Sequence, residues 1–224
     1  MPDLFTSRPL TEDSGSEVCF KIAQYWLQTC LESHSSLCQV KESLPLPTRV
    51  LDVGLLDNDL VKLYISSGEY GQWLTLSHCW GKTRPATTTT SNLDSHREGI
   101  SIAALPQTFR DAIIITRKLG YRYLWIDSLC IVQDSIVDWQ LESVKMNTIY
   151  ANAVLNISAD AAADSSEGIF ASSNRKQDPG SPNLAPTRPD YTEIPVYSPK
   201  AGFKSILYAS FWPHDGLSNN NHLK

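Results

Sequence analysis

Between Trp73 and Ser158 strand-like apolar runs alternate with amphipathic helical ones. That alternation constrains the fold more than any other feature of the chain. Trp73-Leu74-Thr75-Leu76-Ser77 reads as a strand. Pro106 to Leu119 reads as a helix, with Phe109, Ala112, Ile113 and Thr116 on one face, Arg117 and Lys118 in the last turn and Gly120 as the stop. Tyr123-Leu124-Trp125-Ile126 is a short apolar strand ending at Asp127. Ser135 to Tyr150 reads as a second helix, with Val137, Leu141, Val144 and Thr148 on one face, and Ala153 to Ser158 as a further strand. Strand, helix, strand, helix, strand implies right-handed crossovers and a mostly parallel sheet flanked by helices, so the fold class is α/β. In such sheets ligands gather at the carboxyl ends of the strands. Those ends carry Ser77 and His78, Asp127 and Ser128, and Ser158 with Asp160.

Upstream, Glu17 to Ser33 has helical spacing of Phe20, Ala23, Tyr25, Trp26, Leu27 and Leu31, with Ser14 or Ser16 as the cap. A Pro-containing turn, Leu44 to Thr48, leads to strand candidates Arg49–Val53 and Val61–Ile65. Asp57-Asn58-Asp59 between them suits a turn, so the pair reads as a hairpin. Thr83 to about Gly99 reads as a polar, Thr-rich loop. From Ser172 to Pro199 the chain is rich in Pro, Ser, Asp and Asn and reads as irregular, with Ile206-Leu207-Tyr208-Ala209 a strand candidate beyond it. The expected organisation is a tail over 1–16, a domain over 17–170 including the N-terminal helix, and an irregular region over 171–224.

Composition narrows the function. Nineteen Lys and Arg against 24 Asp and Glu leave a net charge of −5 on 224 residues, with no basic run. Phosphate contacts need clustered cations, so nucleic acid is not an expected partner. No stretch has the roughly 20 apolar residues of a membrane span, and the first residues lack a basic and apolar leader. Five cysteines, an odd number without a CxxC, argue against a disulfide framework and for the cytoplasm.

Four constellations bear on chemistry. In Ser77-His78-Cys79-Trp80-Gly81, Ser77 and His78 stand at a strand end as ligand contacts, with Trp80 and Gly81 in the turn. A His78–Cys79 nucleophile and base pair is disfavoured, because adjacent strand residues point to opposite faces. Asp127 follows a buried strand and either faces a ligand or caps the next turn. Cys130, Gln133 and Asp134 lie just beyond, and Gln133 or Asp134 is a candidate helix cap. Asp138 and Glu142, four apart, share a helix face. They either serve a ligand or form a solvated face with a Glu142–Lys145 ion pair. Finally, Cys30, His34 and Cys38 have helical spacing, with Cys19 a fourth soft group, but lack the second close pair that zinc sites use, so no metal is expected. No GxGxxG, GxxxxGK[ST], HExxH or GxSxG occurs.

Taken together, three blocks resemble the fungal heterokaryon incompatibility (HET) domain: Trp73 to Gly81, Leu105-Pro106-Gln107-Thr108-Phe109-Arg110-Asp111-Ala112-Ile113, and Tyr121 to Asp134. Asp138-Trp139, Glu142-Ser143, Lys145-Met146, Ile149-Tyr150 and Ala151-Asn152-Ala153 continue the pattern, and Trp26-Leu27, Cys30, His34, Cys38 and Leu46-Pro47-Thr48-Arg49 resemble sequence preceding such domains. The resemblance spans roughly Glu17 to Phe170. It implies a part in fungal non-self recognition and programmed cell death. It also implies a distant likeness to flavodoxin-like Toll/interleukin-1 receptor (TIR) domains of innate immunity, some of which cleave NAD with a Glu on the helix after the third strand. On that likeness Glu142, and second Asp138, are the catalytic candidates, with NAD as substrate and no resident cofactor. The alternatives are a non-catalytic module that self-associates or recruits other signalling proteins, and a degenerate copy. The polar tail after Phe211-Trp212-Pro213 is short for the family, so the chain reads as a truncated gene product, a short paralogue or a fragment.

Overall fold

The computed structural model describes residues 13–33, 43–54, 58–81, 85–160 and 162–170, together with the backbone of 191–198 and 203–210. It separates into two units, one Glu12–Ser172 and the other Met1–Thr11 with Ser173–Lys224. In chain order the elements of the first unit are α1 (Glu17–Ser33), β1 (Leu44–Pro45), β2 (Arg49–Asp52), β3 (Leu60–Ile65), β4 (Tyr70–Gly71) and β5 (Trp73–Ser77). There follow α2 (Leu93–Glu98), β6 (Ile100–Ser101), α3 (Gln107–Lys118), β7 (Tyr123–Trp125), α4 (Asp127–Cys130), α5 (Ile136–Asn152) and β8 (Leu155–Ser158). In the second unit β9 (Tyr191–Ser198) and β10 (Phe203–Ser210) form a hairpin.

A mixed, six-stranded sheet of order β6-β3-β2-β7-β5-β8 organises the first unit. β5 lies between β7 and β8 and is parallel to both. The expectation of a mostly parallel sheet therefore holds for only one half. β2 runs antiparallel to β7, β3 antiparallel to β2, and β6 antiparallel to β3. For β2 and β3 the physical reason is the connection: they form the expected hairpin, and a short link between adjacent strands permits only antiparallel pairing. Because β2 is reversed, its first residue, Arg49, lies at the same rim as the carboxyl end of β7.

Crossovers run from β5 through α3 to β7, and from β7 through α5 back across to β8. Travelling in opposite directions, they set the two helices on opposite faces. Side chains agree. On one face the Trp73 indole donates to the Ile149 carbonyl of α5 at 3.1 Å, and Trp125 meets the Tyr150 ring edge-on. On the other, Phe109 and Ile113 of α3 are fully buried with Leu74, Leu76, Leu124 and Ile126. Each such side chain contributes about 1.5–3 kcal/mol of burial.

α1 starts where expected, with Ser16 Oγ accepting from the Cys19 amide at 3.4 Å. It buries Phe20, which packs edge-on against Phe170, and Lys118 at the end of α3 pairs with Glu17. Leu44–Pro45, expected as part of a turn, instead forms a short ladder with Tyr70–Gly71. The Thr-rich stretch is also more ordered than a loop. It contains α2, and Thr88 bridges Val132 in parallel.

Two further expectations fail for physical reasons. The α5 stripe of Val137, Leu141, Val144 and Thr148 faces away from the sheet; Val144 is 77% exposed and Ile136 76%. The buried side is Glu142 and Ile149, with Met146 and Tyr150 packed against the core. The helix is apolar on both sides, so periodicity marked a real stripe but not which stripe is inside. In the second unit, β9 lies in the stretch read as irregular. Pro195 within it hides the strand pattern, yet a proline is tolerated on a two-stranded ribbon, where both strands are edges. Ile206 to Ala209 does fall within β10.

Candidate functional site

The carboxyl rim of β5 and β7 gathers polar side chains. Asp127 opens α4 directly after the buried Ile126. One carboxylate oxygen accepts the amide of Ser128 at 2.7 Å, and the other accepts the indole N–H of Trp80 at 3.2 Å. Asp127 is therefore both turn cap and partner of the β5 loop. His78, on the same strand face as Leu76, lies edge-on against Phe109 with ring centres 5.0 Å apart. Burial lowers the pKa of His78, against the pull of the Asp127 charge, so the ring is held neutral. Its Nε2 is buried without a partner among the described residues, as is the hydroxyl of Ser128, a residue with no exposed surface. Ser77 is exposed beside Ser158, and its carbonyl takes the Ala159 amide at 2.9 Å. Just past the end of β5, Cys79 is exposed while His78 is half-buried.

Behind this rim several side chains hold the backbone in place. Gly81 has φ +68°, and a Cβ there would lie 2.3 Å from Cβ of Asp164, so glycine is dictated by the backbone. Cys130 is buried in α4, and burial pushes its thiol up to about 12, which leaves no reactive thiolate. The Gln133 side chain donates to the carbonyls of Asp127 and Ile131. Asp134 grips Thr90 through both its oxygens, at 2.8 Å to the amide and 2.7 Å to the hydroxyl. Neither caps α5. Ser135 does, accepting the Asp138 amide at 3.3 Å. The hydroxyl of Tyr150 donates to the Leu76 carbonyl at 3.1 Å, and burial, aided by the charge of Asp127, raises it to about 12.

The two helix carboxylates stand at the adjoining end of β2, in different situations. Asp138 accepts from Arg49 at 2.5 Å and from the Val132 amide at 2.8 Å, while Arg49 Nε donates to the Cys130 carbonyl at 2.6 Å. Glu142 is only 3% exposed, and its partner is Lys145 at 2.9 Å. Lys145, half-exposed, also donates to Thr48 Oγ1 at 3.0 Å. The expected Glu142–Lys145 pair exists, but on the buried side of the helix rather than on a solvated one. His78, Trp80 and Asp127 thus come together at the ends of β5 and β7, while Ser77 stands at the same strand end beside Ser158. Asp138 and Glu142 lie along the same rim at the start of β2, held by other partners.

Sequence reasoning named Lys145 only as the ion-pair partner of Glu142 and did not single out Arg49 or Tyr150 for the site. Arg49 carried a signal, a cation heading a strand whose next two residues are apolar; Tyr150 carried none. Of the cysteine and histidine set, Cys30 is half-buried in α1, while His34 and Cys38 fall outside the described residues. No group of three or more His, Cys, Asp or Glu among the described residues is placed to hold a metal. Two open hollows lie away from the rim. One of about 390 Å³ is lined by Gln72 and Tyr121 to Tyr123, at the amino end of β7, and one of about 620 Å³ by Leu63, Tyr64, Ile65, Asp94, Arg97 and Glu98.

Residues 73–211 match the family model of the heterokaryon incompatibility protein (HET). The chain belongs to the HET family. The match starts at the first residue of β5 and takes in the whole Trp80–Asp127 rim and α5, and it runs on through the β9–β10 hairpin. It thus reaches further toward the C-terminus than the blocks quoted from the sequence, and it leaves out α1 and β1 to β4 of the HET-family chain. No curated protein and no solved structure matches this chain. None of its described helices is long and apolar enough to cross a membrane.

Proposed function

We propose that this HET-family chain acts in cytoplasmic non-self recognition and cell-death signalling, by TIR-like cleavage of NAD at the nicotinamide–ribose bond. The observation that carries the chemistry is the contrast between the two carboxylates of α5. Asp138 is committed to Arg49 and the Val132 amide, whereas Glu142 is buried with one half-exposed lysine as its partner. Lys145, half-exposed on a flexible stem, can turn to solvent when a cationic centre takes its place, so the carboxylate stays paired in a water-poor setting. There it would face the positive charge that develops on the ribose as the C1′–N bond breaks and its electron pair leaves with nicotinamide. Water then adds at C1′, giving ADP-ribose, nicotinamide and a proton. Ser77, His78, Trp80 and Asp127 would contact the substrate, and Gly81, Cys130, Gln133 and Asp134 would hold the rim in shape.

Nicotinamide release from NAD by the purified full chain tests this. Release is expected from the native chain and its loss from Glu142→Gln, while Asp138→Asn is expected to act chiefly through stability. No release at any protein concentration overturns the reading. A second reading, a module that works by self-association, is favoured by the apolar stripe of Ile136, Val137, Leu141 and Val144. The stripe carries no charge, so it is complementary to itself in a second copy. Cell killing retained by Glu142→Gln would favour this second reading over cleavage.

A further inference from the structure

Buried polar atoms in folded proteins almost always have a partner, so those without one call for an account. Among the described residues there are three: His78 Nε2, Arg110 Nε and Ser128 Oγ. Two of them stand at neighbouring strand ends, and the third is one residue on from the ring that His78 meets. His78 follows the carboxyl end of β5, and Ser128 follows Asp127 at the carboxyl end of β7. Arg110 lies in the first turn of α3, next to Phe109, whose ring His78 meets edge-on. The Ser128 carbonyl takes the Thr88 amide at 3.0 Å, closing the same end of the sheet.

Arg110 stands out further among the described arginines. Arg49, Arg97 and Arg122 each hold a carboxylate, and Arg117 holds the carbonyls of Val53 and Asn58. Arg110 holds neither, although its Nε is buried. The residue as a whole is half-buried, so its guanidinium keeps a buried N–H donor and a positive charge for an anionic partner. Neither carboxylate of this region serves it: Asp127 is taken by the Ser128 amide and Trp80, and Asp111 by Gln107 and the amides of Ile169 and Phe170.

We propose that Arg110, Ser128 and His78 form a subsite for a phosphoryl group. Arg110 and Ser128 are donors, and His78 becomes one when its proton sits on Nε2. Donors around a lone cation fit a ligand that is anionic and rich in acceptors, which a phosphate is and a neutral sugar or base is not. The proposal rests on the reading that this rim binds a ligand. It does not need that ligand to be cleaved. The diphosphate of a dinucleotide and free pyrophosphate present the same chemistry.

Thermal shift and calorimetric titration of the full chain with pyrophosphate, NAD and nicotinamide riboside test it. Pyrophosphate and NAD are expected to bind saturably, and the riboside, which has no phosphate, is not. Pyrophosphate binding without NAD binding supports the subsite with free phosphate as its source. Binding of neither overturns it. Arg110→Gln is expected to weaken binding about tenfold or more, and unchanged binding in that variant overturns the proposal. Ser128→Ala supplies a readout that a purely structural serine would not give. Removing a polar atom that lacks a partner should leave the unliganded chain as stable as before or more so, yet weaken pyrophosphate binding. Lower stability of Ser128→Ala without ligand would place that hydroxyl in a structural bond and overturn its role. Glu142→Gln should bind pyrophosphate as the native chain does, so a failure of the cleavage reading leaves this result standing.

Discussion

Arg49 at the head of β2 and Asp138 in the first turn of α5 form an ion pair at 2.5 Å, across 89 positions of sequence, with 8% and 20% of their side chains exposed. The pair joins a strand from before the family-matched span to a helix within it.

Breaking one side of such a pair leaves the other charge buried and unpaired. Asp138→Ala is expected to destabilise the chain by about 3–5 kcal/mol, read by chemical denaturation. Replacing both with apolar residues, as in Arg49→Met with Asp138→Leu, should cost far less than the sum of the single losses. If the single variant unfolds at the native midpoint, Asp138 is not a structural carboxylate.

Gly81 carries a backbone requirement rather than a chemical one. Gly81→Ala must take φ +68° and displace Asp164, whose Cβ would be 2.3 Å away. A loss of about 1–3 kcal/mol is expected, with local disturbance of the Trp80 indole visible in fluorescence. Asp164→Gly in the same chain should recover part of the loss, because it removes the colliding carbon.

His78 makes stability depend on pH in a defined direction. Its folded pKa lies below the ordinary 6.5, chiefly through burial, so the unfolded chain binds the proton more readily. The stability tied to the neutral ring is present above about pH 6.5 and is lost as pH falls toward the folded value. His96, also lowered by burial, adds in the same sense. Denaturation midpoints measured between about pH 7 and pH 5 should fall, and His78→Gln should flatten that slope in part. An equal slope in both chains would show that the ring is not held neutral by the fold.

The outward stripe of α5 predicts concentration-dependent association. Val144→Lys sits at a 77% exposed position and should change stability by no more than about 0.5 kcal/mol. It should shift sedimentation of the native chain toward a smaller species. A native chain that sediments as a monomer at every concentration removes the stripe from any self-association.

Much of the parallel half of the fold was legible. Trp73 to Ser77, the helix closed by Gly120 and the short strand before Asp127 each carry a period and a boundary that physics reads directly. The antiparallel half was legible only as a hairpin, because nothing local to Arg49–Asp52 says which strand it will lie beside. For the site, the strand ends named Ser77, His78 and Asp127 together, since chain topology alone puts them there. What the sequence hid is partnership. Whether Glu142 faces solvent or core depends on which of two apolar sides of α5 meets the sheet. That Asp134 secures Thr90 rather than capping a helix depends on the path of a loop 44 residues away.

The reversed strand has one more consequence. A fragment trimmed to begin at Trp73 would keep every motif block and still lose both neighbours that cover β7 on its far side, β2 directly and β3 beyond it. Its sheet would end in a raw edge of Tyr123 to Trp125, three residues with free backbone groups and large rings, a template for sticking to other chains. Asp138 would lose its counter-charge in the same cut. For anyone choosing where to start an expressible piece, the boundary that matters is the one before Leu44, where the borrowed strands begin.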